Sequence, residues 1–61
     1  MSMFSVHYLI ANANNLYWDG NDVYSFSEYK NAIGFFTKAQ AETVMNNLLR
    51  DVPNLRIEED E

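Results

Sequence analysis

The chain has 61 residues, 48% hydrophobic and 15% aromatic, with no cysteine and a formal net charge of -5. A chain this short forms one domain that hides only about 60% of its unfolded surface, and without cysteine it has neither disulfides nor thiolate zinc sites to support it. The acid surplus opposes direct nucleic-acid binding, which depends on clustered Lys and Arg, and no apolar run approaches the roughly 20 residues that span a bilayer.

Residues 3–11, MFSVHYLIA, alternate in polarity. Phe4, Val6, Tyr8 and Ile10 fall on one side of an extended chain, with Ser5, His7 and Leu9 on the other, which predicts a strand. No basic residue precedes the apolar part, unlike a signal peptide, so a cytoplasmic location is expected. Asn12, Asn14 and Asn15 supply a turn, because asparagine tolerates left-handed backbone angles and bonds its own main chain. Leu16 to Trp18 then folds back as a second strand, and Asp19-Gly20-Asn21-Asp22 forms another turn.

Residues 23–32 admit two readings. Val23 to Ser27 suits a third strand, whereas Ser25-Phe-Ser-Glu28 matches a capping box that starts a short helix, with Phe26, Tyr29 and Ile33 at helical spacing. A strand running into a helical turn combines the two. The next start signal is clearer: Thr37 stands at an N-cap position with Gln40 three residues on, and Phe36 and Ala41 occupy the places of a hydrophobic staple. A helix from Lys38 to about Arg50 follows, burying Ala41, Val44, Met45 and Leu48, with Leu49 at its edge. Pro53 stops it. Leu55 and Ile57 around Arg56 predict a last strand, and Glu58 to Glu61 an acidic, solvated tail.

The predicted fold is therefore α+β, a small antiparallel sheet of three to four strands with one main helix packed on one face, in the order β-β-(β or short helix)-α-β. Residues 1–57 make the domain and 58–61 the tail. A single helix covers one face. Leu9, with whichever of Leu16, Tyr17 and Trp18 point away from it, is expected to leave the second face apolar and accessible.

Residues 32–41, AIGFFTKAQA, place Ala32, Phe35, Thr37, Lys38 and Ala41 in the pattern A-x-x-F-x-T-K-x-x-A, preceded by Tyr8 to Ile10 and by Tyr17-Trp18. In this the chain resembles short phage-encoded accessory proteins of unknown function, which begin with a Y-x-I strand and carry a Tyr-Trp turn. Phe36 departs from that pattern, which has a polar residue before the threonine. The resemblance implies a viral accessory protein acting in the host cytoplasm on a host protein. It implies no activity.

The residues themselves offer little chemistry. His7 is the single histidine, and no nucleophile is spaced to use it. Asp19 and Asp22 flank Gly20 but lack the other ligands of a calcium loop, so a turn is their expected role. Two glycines build no phosphate loop of the usual kind, and the short chain has little volume for a pocket. No catalytic residue, metal or cofactor is expected. Binding to protein is the better fit, since Tyr and Trp dominate interface hot spots. In LYWDGNDVYSF, residues 16–26, aromatic and acidic side chains interleave, and Tyr17, Trp18, Asp19, Asp22, Tyr24 and Glu28 are the candidate contact residues. The same aromatic residues also have claims on the core of so small a domain. The expected partner is a host protein with a basic surface, such as a nuclease or defence factor; the alternative is a structural or assembly protein acting as a homo-oligomer, with a homodimer through the open sheet face or an edge strand.

Overall fold

In the computed structural model, which describes residues 6–60, four antiparallel strands form one sheet and a single α-helix lies across one of its faces. The strands are β1 (His7–Ala11), β2 (Tyr17–Trp18), β3 (Phe26–Ser27) and β4 (Arg56–Asp60), in the spatial order β3-β2-β1-β4. The helix, α1, spans Lys38–Leu48. This is the α+β fold expected, with β3 running into a 3₁₀ turn at Tyr29–Asn31. Of the predicted first strand, residues 3–5 lie outside the described residues.

Local chemistry explains the turns. Asn12 Oδ1 accepts from the backbone N–H of Asn14 and of Leu16, both at 2.9 Å, and Asn15 takes φ 63°, the left-handed conformation that asparagine tolerates. Thr37 caps α1 by accepting from the Gln40 N–H at 3.1 Å, which satisfies one of the free donors of the first turn. The expected staple takes a different form. Ala41 is buried while Phe36 is 76% exposed, and the Phe36 ring lies 5.7 Å from the ring of His7. The helix ends two residues before Arg50, and Val52 N–H closes the following turn on Leu48 O at 2.8 Å.

Strand register sorts the side chains. Leu9 is opposite Glu58, Ile10 opposite Ile57 and Ala11 opposite both Arg56 and Tyr17, so alternation sets Ile10, Ile57 and Trp18 on one face and Leu9, Tyr17, Glu58 and Asp60 on the other. The first face receives α1, which packs over β1 and β4. Its core includes Ile10, Ala41 and Leu48, with Ile10 only 1% exposed.

Two expectations need correction. The second face is not an open apolar surface: Leu9 is buried, because the chain after β3 swings across that face and brings Tyr29, Lys30 and Ala32 alongside it. Glu58, Glu59 and Asp60, expected as a solvated tail, extend β4 instead and pair with Leu9, Tyr8 and His7. A charge run reads as tail because it offers no apolar face, yet backbone pairing needs none. Here the carboxylates of Glu58 and Asp60 find phenol donors.

Candidate protein-interaction surface

LYWDGNDVYSF folds as a hairpin in which Trp18 pairs with Phe26 and Tyr17 with Ser27. Asp19 organises its loop. Its carboxylate accepts from the Asn21 N–H at 3.0 Å, the Ser25 hydroxyl at 2.9 Å and the Ser27 hydroxyl at 3.0 Å. The Asn21 N–H and then the Ser25 hydroxyl hold its pKa below the ordinary value, since both favour the charged form. The Ser25 capping box does not form, because Phe26 and Ser27 pair with β2 as a strand instead of opening a helix, and Glu28 precedes the 3₁₀ turn without a side-chain cap.

Trp18 serves the same loop from the helix-covered face. Its indole N–H donates to Asp22 O at 2.9 Å, and the ring stacks on Phe35 with centroids 6.4 Å apart and planes 5° from parallel. Ser25 N–H also donates to Asp22 O, at 3.1 Å, closing a turn that carries Val23 and Tyr24 at its tip. Tyr24 is 66% exposed, and Asp22 and Glu28 are exposed near it in sequence. Glu28 makes one loose ion pair, with Lys30 at 3.6 Å, of the solvent-screened kind that contributes little.

Tyr17 departs from this group. It lies on the second face, where its hydroxyl donates to Glu58 at 2.8 Å and its ring meets Tyr29 edge-on at 5.8 Å. Tyr29 in turn donates to Asp60 at 2.6 Å. Arg56 completes the network, donating from Nε to Glu58 at 2.9 Å and from Nη1 to Asn12 O at 2.9 Å. The hydrogen bond from Tyr17 first, and that from Arg56 second, lower the Glu58 pKa. Conversely, each phenol is raised above 10.0, chiefly because the hydrogen bond it donates to the Glu58 or Asp60 carboxylate holds its proton in place, and next because burial disfavours the phenolate.

The six candidate residues thus divide by role. Trp18 and Asp19 build the loop, Asp22, Tyr24 and Glu28 face solvent at or near its tip, and Tyr17 braces the opposite face. Sequence reasoning did not find Arg56 and Tyr29, whose partners lie far away in the chain. Phe36, flagged by its departure from a polar position, is the most exposed large apolar side chain among the described residues.

On the second face His7, Leu9, Tyr29, Lys30, Ala32, Gly34 and Asp60 line an open hollow of about 310 Å³. No group of three or more His, Asp or Glu among the described residues is placed to hold a metal ion. Among the same residues no helix is long and apolar enough to cross a membrane. Comparison with protein-family models, with curated proteins and with solved structures finds no match.

The tyrosine network makes stability depend on pH in a definite direction. A phenol whose folded pKa is raised contributes fully below 10.0 and loses its contribution as pH rises through the folded value. Asp19 and Glu58, both lowered, contribute above their ordinary values of 3.8 and 4.5 and lose that contribution as pH falls through the folded ones. Urea midpoints measured across the alkaline range are expected to fall in the wild type. In the Tyr17→Phe, Tyr29→Phe double variant the midpoint starts lower and declines less steeply; an unchanged alkaline slope contradicts the assignment.

Proposed function

We propose that this chain is a non-enzymatic protein-binding module, a phage accessory protein that inhibits or redirects a host protein by occupying its basic surface. The observation that carries this reading is the hairpin tip, where Tyr24 is 66% exposed on a turn held by Trp18, Asp19 and Ser25, with Asp22 and Glu28 exposed close by in the sequence. The turn that carries this aromatic side chain is already fixed, so little backbone entropy is lost on docking. The surrounding charge belongs to a molecule of net charge -5, which steers it toward basic surfaces, including the nucleic-acid channel of a nuclease or a defence factor.

Host lysate passed over the immobilised full chain tests the reading. A host protein is expected to be retained by the wild type and held about tenfold less tightly by Tyr24→Ala, the usual order for an interface anchor. The variant's urea midpoint should stay near that of the wild type, because the side chain is mostly exposed. Equal retention of a specific protein by both chains removes the hairpin tip from the account, and no retention at all removes the function.

The second reading is a structural or assembly protein acting as a homo-oligomer. The free edge of β4 favours it, since an unpaired strand is a template for a second copy. Charge opposes it, because Glu58 to Asp60 would approach the same residues of another chain.

A further inference from the structure

The edge of β4 has a defined hydrogen-bonding pattern. Tyr8 exchanges both of its backbone bonds with Phe35, at 2.9 Å each, on the side of β1 away from β4. Hydrogen-bonded and non-bonded positions alternate along an antiparallel ladder, so on β1 it is His7, Leu9 and Ala11 that bond toward β4. Their partners are Asp60, Glu58 and Arg56. The N–H and C=O groups of Ile57 and Glu59 consequently point outward, and neither residue makes a backbone bond to any other described segment.

The side chains along this edge are mostly acidic. Glu58 and Asp60 share the second face, and Glu59 is exposed on the other, one pair beyond Ile57. Arg56 is engaged by Glu58 and Asn12, and Glu59 has no ion pair among the described residues. Natural proteins use charge on an edge strand to reject further copies of themselves. The same charge selects a strand of opposite sign.

We infer that the outer edge of β4 is a docking site for an extended basic segment of a partner protein, which pairs antiparallel with Ile57 and Glu59 and sets Lys or Arg side chains opposite Glu58, Glu59 and Asp60. The inference rests on the protein-binding reading and gives the partner's chemistry at a second place, across the sheet from the hairpin tip. Main-chain bonds supply the affinity, and the side-chain pattern supplies the choice of segment. The preferred segment carries a short apolar side chain opposite Ile57, preceded by basic residues opposite positions 58–60.

The probe is the peptide Ac-Thr-Lys-Lys-Arg-Val-Thr-NH2, titrated into the full chain while its amide signals are followed by nuclear magnetic resonance. The Ile57 and Glu59 amides are expected to shift and to become slower to exchange with solvent. The same peptide N-methylated at Val and at the second Lys keeps every charge but cannot donate across the edge, and is expected to bind about tenfold more weakly. Glu59→Lys in the protein is expected to weaken the unmodified peptide. Equal affinity for the two peptides overturns strand pairing, leaving only charge attraction. Absence of binding, or shifts confined to Asp22, Val23 and Tyr24, also overturns it while the hairpin reading stands. Self-association through Ile57 and Glu59, strengthened by salt, makes a second copy the occupant and overturns it too. If Tyr24→Ala leaves host-protein retention unchanged yet the peptide docks as described, the hairpin reading fails and the edge site remains.

Discussion

Ile10→Ala is expected to cost about 3 kcal/mol, within the range seen when a buried aliphatic side chain is cut back to a methyl group. Ile10 is 1% exposed and is the largest fully enclosed side chain among the described residues. It lies on the central strand β1, opposite Ile57 and on the face that α1 covers. A chain of this length has a total stability of roughly 3–9 kcal/mol, so the loss removes about a third of it or more. Chemical denaturation of the variant should give a midpoint lowered by at least about a third, or no folded baseline. A midpoint close to the wild type would mean that β1 is not the centre of the core. Ile10→Val, which removes one methyl group, should cost about 1 kcal/mol and stay folded.

Gly20→Ala is expected to cost about 2 kcal/mol, from two separable causes. Gly20 has φ +84°, a conformation that β-carbon-bearing residues rarely adopt. An alanine β-carbon there would overlap Cδ1 of Ile33 and come within 3.2 Å of its Cγ1. Ile33 is held in place by its N–H, which donates to Trp18 O at 3.1 Å, so only the end of its side chain is free to turn away. Trimming it in an Ile33→Ala background should relieve the overlap and leave the backbone strain, reducing the cost of Gly20→Ala to about 1 kcal/mol. An identical cost in both backgrounds would show that the two side chains do not meet.

What could be read in the sequence was what neighbouring residues decide. Thr37 and Gln40 announce the start of α1 because the cap is formed between residues three apart. Asn12, Asn14 and Asn15 announce a turn because an asparagine side chain bonds its own main chain. The alternation around Tyr8 and Ile10 announces β1 because successive side chains of a strand point to opposite faces and one face must meet the core. The features that were not legible depend on residues far apart. Glu58 and Asp60 gain a structural role only when Tyr17 and Tyr29 arrive beside them, from 41 and 31 residues away. Leu9 is covered only because the segment after β3 crosses its face. Ser25 is ambiguous in sequence because a capping box and a strand share the same residues, and only the distant pairing of Phe26 and Ser27 with Trp18 and Tyr17 decides for the strand. Among the proposed contact residues, spacing could not separate Asp19, which is spent inside the loop, from Asp22, whose side chain remains exposed.

On the proposed protein-binding reading, recognition falls to the rims of the domain. With α1 on one face and Tyr29 folded across the other, the accessible elements include the hairpin tip around Tyr24, the exposed Phe36 ring, and the acidic edge of β4. Two of these three places are negatively charged. Attraction between opposite charges raises the rate of encounter, and salt suppresses it once the screening length falls below the separation of the charges.

The most direct test is the association rate between the full chain and the host protein retained on it, measured at low and high salt. The rate is expected to fall about tenfold or more between 20 mM and 300 mM sodium chloride, with the dissociation rate much less affected. An association rate indifferent to salt would contradict an acidic module steered to a basic surface.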